Sequence, residues 1–325
     1  MTKNTRLNEG LPIFVDHKTD VGPISKAPSD SWYVNCAFEA DGKQLGFMWH
    51  QQTMKMGPIS VNFAELLLLN ATDNYSLSEL AKPKPISIKK ISENEVEVVS
   101  SIGSFSGSYR DGFDLQLQIQ DGGVHVHLKP DTTLYNGTTG LLPLVGSDSH
   151  EFAYPNMSVT GAVTMNNETY ELSDGTAWFD KQWVTTAPNR GEMNNAAWLW
   201  LGLPLNNKGT CSISLWDYYT SENRNAFATV VEENGMQETM PISVTYNNIW
   251  KSQKTGNSYP EIIDIRIDEI DLNLSLRTLI VDTEFYQEHA KLGGCQNLCG
   301  VTGTFRQHKI SKYCVVEMIN DLCGD

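Results

Sequence analysis

Along most of this chain apolar and polar residues alternate in short runs broken by Gly, Asn or Asp. ISIKKI, EVEVVS, SFSGSYR, FDLQLQIQ and VHVHLK, all between residues 84 and 130, have a period of two, which predicts strands with one face turned inward. Residues 31–55 read as a hairpin, WYVNCAFEA and KQLGFMWHQ around Asp41-Gly42, because that dipeptide favours the left-handed conformations a tight hairpin turn needs. ISVNFAELLLLN, residues 59–70, reads as a further strand. Near the middle, Val159, Ala162 and Val163 lead to a turn at Asn166-Asn167, after which Tyr170 and Leu172 alternate with polar neighbours. In AWLWLGL, Trp198 and Trp200 point one way and Leu199, Leu201 and Leu203 the other. After Asn207-Lys208-Gly209, CSISLWDYY puts Ser212, Ser214, Trp216 and Tyr218 on one face and Ile213 and Leu215 on the other. Strands apolar on both faces are buried on both. Further strands are predicted at 225–233, 240–247, 260–268, 273–281, 283–291 and 301–318.

The pattern predicts an all-β protein. Residues 1–30, polar and holding Pro12, Pro23 and Pro28, are expected to form an N-terminal arm. The polar stretch 184–197 is the candidate hinge between one β domain over 31–190 and a second over 191–325, whose eight or so strands are close to the number a small barrel needs. With 10% aromatic and 19% charged residues, 325 residues can build a real core. A net charge of −15 argues against nucleic acid and anionic membrane surfaces as partners. No apolar run approaches the length of a membrane-spanning helix, and MTKNTRLNEG has no apolar region of a signal peptide.

Two features nevertheless point to a secretory route, which would require a leader ahead of residue 1 that has been removed or replaced. Sequons stand at Asn70, Asn74, Asn136, Asn156, Asn167 and Asn273. The cysteines are even in number, Cys36, Cys211, Cys295, Cys299, Cys314 and Cys323, and the last four suggest a disulfide-stapled C-terminal loop. The alternative is six buried thiols in a cytosolic protein. Cys295 and Cys299 lack a second pair at zinc-site spacing. His125 and His127 share a strand face but have no third ligand at a matching offset, so no metal is expected. No nucleotide-binding or hydrolase motif occurs, and no cofactor is expected.

Asp180, between Trp178 and Trp183 in WFDKQW, is the candidate acid, because a carboxyl desolvated among indoles holds its proton towards neutral pH. It could equally hold the local bend by accepting hydrogen bonds. Lys181, its neighbour, faces inward or outward. Trp198, Trp200, Trp216 and Tyr218, with Trp183, are candidates to bind a flat or polyene hydrophobe; the alternative is a plain aromatic core. Arg266, in IDIRID, could clamp a carbonyl oxygen or pair with Asp264 or Asp268 on its own face.

GTAWFDKQW (175–183) followed by WLWLGL (198–203) resembles the G-x-a-W-x-D-x-x-W and W-x-W-f-x-l-x-L signatures of the lipocalin-like carotenoid hydratase family, which includes fungal Diels–Alderases. Trp32-Tyr-Val-Asn, Phe152-Ala-Tyr-Pro155, Tyr286-Gln-Glu-His and Tyr313-Cys-Val-Val-Glu317 resemble further family stretches in the same order, over residues 31 to 318. The resemblance implies two lipocalin-like β domains side by side with a ligand pocket at or near their interface. Tyr286, Glu288 and His289 occupy the family's Y-W-E-G position, with Gln287 replacing the aromatic and His289 the glycine.

The expected partner is a hydrophobic small molecule. An aromatic site with a few polar groups suits reactions whose barrier is mostly orientation. The first expectation is a pericyclase performing a Diels–Alder or hetero-Diels–Alder step, similar to secreted fungal enzymes that join a tropolone quinone methide to a sesquiterpene polyene. There Arg266, His289 or Lys181 would polarise oxygens. The second is a polyene hydratase or isomerase with Asp180 as acid. The third is a non-catalytic carrier.

Overall fold

The computed structural model describes residues 13–56, 59–81, 87–92, 94–144, 147–186, 196–206, 210–220, 223–281, 283–287 and 292–323. The chain divides into two compact units at Ala187/Pro188, and each is a curled antiparallel half-barrel sheet of lipocalin-like character.

The first unit contains β1 (Ser29–Ala40), β2 (Lys43–Met56), β3 (Ile59–Asn70), β4 (Tyr75–Ala81), β5 (Ser87–Ser92), β6 (Glu95–Ser100), β7 (Gly103–Ser108), β8 (Gly112–Ile119), β9 (Gly122–Lys129), β10 (Leu134–Tyr135), β11 (Leu141–Leu144), β12 (Ser147–Met165) and β13 (Glu168–Val184). Their order is β4-β3-β2-β1-β13-β12-β9-β8-β7-β6-β5, with β10 and β11 on β12. The two hairpins expected from turn chemistry are present. Asp41 and Gly42 have φ of 53° and 73°, and Asn166 and Asn167 have 50° and 65°, the left-handed pairs that let two residues reverse a twisted ladder. In β12 the register shifts between Tyr154 and Met157, around Pro155, which has no N–H to give to a ladder. The concave core is aromatic: Phe179 stacks on Phe105 at 5.5 Å and on Tyr154 at 5.2 Å, and Phe105 on Phe113 at 4.9 Å. Residues 13–28 are tied to this core by three hydrogen bonds, the first two of them buried. Trp32 Nε1 donates to Val21 O at 2.8 Å, Tyr154 Oη to His17 O at 2.7 Å, and Ile24 N to Asp30 Oδ2 at 2.9 Å.

The second unit contains β14 (Ala197–Pro204), β15 (Ser212–Tyr219), β16 (Arg224–Val231), β17 (Gln237–Pro241), β18 (Ser243–Lys251), β19 (Ser258–Ile267), β20 (Leu272–Thr278), β21 (Glu284–Gln287), β22 (Leu292–Phe305) and β23 (His308–Ile319). The order is β17-β16-β15-β14-β23-β22-β20-β19-β18, with β21 on β22. Its core gathers Leu199, Leu201, Leu203, Ile213, Leu215 and Val316 with Ile263, Ile265 and Ile267 of β19, as the alternation requires.

Two expectations change here. The strand expected over 240–247 is two strands broken at Ile242. The strand expected over 301–318 is the closing part of a long hairpin, reversed at Arg306-Gln307 with φ of 47° and 66°. Neither residue is a usual turn former, so the turn leaves no compositional mark. In consequence the C-terminal cysteines do not staple a loop. Cys295 and Cys299 lie within β22 and Cys314 within β23, buried in the core, and none of the six cysteines is joined in a disulfide. The sequon at Asn136 is also closed by the fold, since the amide nitrogen that would carry a glycan is fully buried and donates to Glu151 Oε1 at 2.6 Å. The candidate hinge lies mostly outside the described residues.

Candidate functional site

Because strand residues alternate between faces, the WFDKQW segment of β13 distributes its side chains over two environments. Phe179, Lys181 and Trp183 turn to the aromatic core; Trp178, Asp180 and Gln182 turn to the opposite face. Asp180 and Lys181, adjacent in sequence, therefore cannot act on one atom together.

Lys181 is wholly buried and pairs with Asp30, a partner 151 residues away. Its ammonium also lies 4.3 Å from the centroid of Trp32 and 5.2 Å from that of Trp183. Burial pulls the amine below its ordinary pKa, opposed by Asp30 and then Asp20; burial likewise lifts the Asp30 carboxyl, opposed by Lys181. Trp183 stacks on His150 at 5.3 Å.

The other face carries a polar grid over β2, β1, β13 and β12. In one row His50, Tyr33, Asp180 and Ala153 are direct cross-strand neighbours; in the next stand Gln52, Ser31, Gln182 and Glu151. Asp180 Oδ1 accepts from Trp178 Nε1 at 2.9 Å. Glu151 accepts from Asn136 and, at 2.8 Å, from Gln182 Nε2. His50 meets Tyr33 edge-on at 5.6 Å, and desolvation lowers its pKa to about 4, so it is neutral at neutral pH. Tyr33, Asn35, Ser31, Asp180 and Glu151 are all buried, and Asn35 Nδ2 has no hydrogen-bond partner. A carboxylate, a phenol and a half-buried imidazole in one row can move protons and orient a polar group. Asp180 was legible in sequence through its motif. His50 and Glu151 were not, because only strand pairing brings them to that face.

In the second unit Trp198, Trp200, Trp216 and Tyr218 do share the face opposite the leucines. Trp200 and Trp216 are cross-strand partners with centroids 6.4 Å apart, and Trp198 faces Tyr218. Trp200, Trp216 and Tyr218 are buried and Trp198 half-buried. Glu317 joins this face from β23, accepting from Trp198 Nε1 at 2.7 Å and from Gln296 Nε2 at 2.5 Å.

The remaining candidates are elsewhere. Arg266 is 64% exposed and paired at 2.5 Å with Asp268, the alternative its strand pattern had offered. Tyr286 lies on β21 opposite Gly293, whereas Glu288 and His289 lie outside the described residues. His127 pairs with Asp114 at 2.8 Å on an exposed face.

The sequence profile of the AttH-like family matches residues 15–293. No curated protein matches the sequence. Among solved structures, an AttH-type protein of Nitrosomonas europaea superposes with a TM-score of 0.74 at 16% identity, covering 96% of this chain and 100% of that one. Kievitone hydratase from Nectria haematococca gives 0.72 at 17% identity, with 96% and 94% covered. CghA, solved with Sch210972, gives 0.64 at 10% identity, with 97% and 95% covered. At these identities the likeness is one of fold.

Proposed function

The chain belongs to the AttH-like family, and from that premise we propose that it is an enzyme acting on a hydrophobic, unsaturated small molecule by proton transfer at a carbon–carbon double bond, in a hydration or isomerisation. The observation that carries this reading is the row His50–Tyr33–Asp180, with Tyr33 and Asp180 buried and His50 half-buried. Hydration requires an acid held away from bulk water and a base for the incoming water. The Asp180 carboxyl donates its proton to the less substituted alkene carbon. Water adds to the cation at the other carbon and returns a proton to the carboxylate, so the product is the substrate plus one water. Tyr33 and His50 orient that water. Kievitone hydratase, which has this fold, is by its name a hydratase, and that favours the reading.

A second reading, a stereoselective (hetero-)Diels–Alder cycloaddition such as tropolone quinone methide with a sesquiterpene polyene, is favoured by the aromatic face of the second unit. Four aromatic side chains on one face can orient a polyene by stacking and burial. It ranks second because the cations that would polarise the oxygens are engaged: Lys181 with Asp30 and Arg266 with Asp268.

The test incubates the full chain with a prenylated phenol, an acyclic carotenoid, and a tropolone quinone-methide precursor with humulene, read by mass and chiral chromatography. The expected result is a product heavier by one water, or an isomer, and a loss of about 10²–10⁴ in rate in Asp180→Asn, the usual worth of a positioned acid. A single-enantiomer coupled adduct still formed by Asp180→Asn would establish the second reading instead. Substrates returned unchanged but bound would identify a carrier.

A further inference from the structure

The second unit holds a carboxyl to which the sequence motifs assign no chemistry. Glu317 stands in a row that runs in register across four strands, Gln296–Glu317–Trp200–Trp216. Both of its oxygens accept from neutral donors, the indole of Trp198 and the amide of Gln296, and among the described residues no cation pairs with it. Burial pushes its pKa above the usual carboxylate range, against those two hydrogen bonds. Glu317 is half-buried; a countercharge would be the usual partner of a merely structural carboxylate so placed, and the row offers tryptophans in its place.

The same row contains a second anomaly. Trp216 is 5% exposed and its Nε1 has no hydrogen-bond partner, whereas Trp200 Nε1 donates to Ser214 Oγ at 3.3 Å and Trp198 Nε1 to Glu317. Ser212 Oγ, on the same face of β15, is also buried without a partner. A buried N–H left unpaired is costly, so such groups call for an occupant. The row thus presents a strong acceptor and an unused donor on a face whose other side chains are aromatic.

We propose that Glu317 and the Trp216 indole N–H together recognise a hydroxyl group on an unsaturated hydrophobic ligand whose apolar body lies on Trp198, Trp200 and Tyr218. A hydroxyl satisfies both at once, donating to the carboxylate and accepting from the indole. A ketone could use only the indole, and a hydrocarbon neither. The inference rests on the reading of this face as a ligand surface, and it makes Glu317 a specificity-determining residue.

The experiment titrates the full chain with β-ionol, β-ionone and the corresponding hydrocarbon, following tryptophan fluorescence. The wild-type protein should bind the alcohol about tenfold more tightly than the hydrocarbon, the usual worth of a charge-assisted hydrogen bond. In Glu317→Gln the preference should shrink to about twofold with hydrocarbon affinity unchanged. Trp216→Phe, which removes the N–H together with the five-membered ring, should weaken the alcohol more than the hydrocarbon and covers the case in which Glu317→Gln does not fold. Equal preference in the wild type and both variants would overturn the role of Glu317 while leaving the aromatic surface intact. Failure of all three compounds to bind the wild type would overturn the ligand surface itself, and this inference with it.

Discussion

Asp180 in the first unit and Glu317 in the second are held in the same way and surrounded differently. Each accepts a tryptophan indole N–H, at 2.9 Å from Trp178 and 2.7 Å from Trp198, and among the described residues no cation pairs with Glu317. Asp180 stands in a row with a phenol and an imidazole, groups that exchange protons; Glu317 stands in a row of indoles and one amide, which cannot. Asp30 supplies the third case, a buried carboxyl with a full countercharge in Lys181. The difference teaches that burial alone does not define a carboxylate's role. Neighbours that titrate suit chemistry, neighbours that only donate suit recognition, and a dedicated cation suits structure.

The comparison breaks most readily at the ion pair. Lys181→Met leaves Asp30 buried without its charge partner, and urea unfolding should show a loss of about 3–5 kcal/mol, much of it restored by adding Asp30→Leu. A loss below about 1 kcal/mol would put Asp30 in the same class as the other two carboxylates. Next in size is the acid response of the first unit. His17 is buried and desolvation lowers its pKa from 6.5 to about 4. Between these values the unfolded chain binds a proton that the folded chain does not, so this contribution is complete above pH 6.5 and is lost as pH falls towards 4. The loss is of order 3 kcal/mol, and His17→Asn should flatten that part of the stability–pH curve measured by chemical denaturation. Smallest are the indole bonds. Trp178→Phe and Trp198→Phe should each cost about 1–3 kcal/mol in melting experiments, the range for an acceptor left without its donor. Trp198→Phe belongs at the lower end, because Gln296 still holds Glu317.

Much of the fold was legible because strand pairing writes a local signature. Asp41-Gly42 and Asn166-Asn167 mark their turns, and the alternation in AWLWLGL separates the tryptophans from the leucines without any knowledge of a partner strand. Where the local signature is missing, the pattern misleads: Arg306-Gln307 reverses the chain with residues that rarely adopt left-handed conformations, so the start of β22 resembles a loop, and its end together with β23 a single strand. The candidate site was legible in part. Asp180 and the aromatic face followed from motif and period. The alternation already forbids Asp180 and Lys181 from sharing a face, but it cannot say which face is aromatic core and which a polar grid.

By itself, then, the sequence determined the all-β class, the strand faces and the identity of one buried acid, since each depends on residues within a few positions of one another. The tertiary structure decided the rest. Asp30 reaches Lys181 across 151 residues, His50 and Tyr33 reach Asp180 through the register of β1 with its two neighbours, and Glu317 reaches the tryptophans through the pairing of β23 with β14. Register is fixed by the summed burial of whole strands. No single residue in any of these clusters carries the information that places it beside the others.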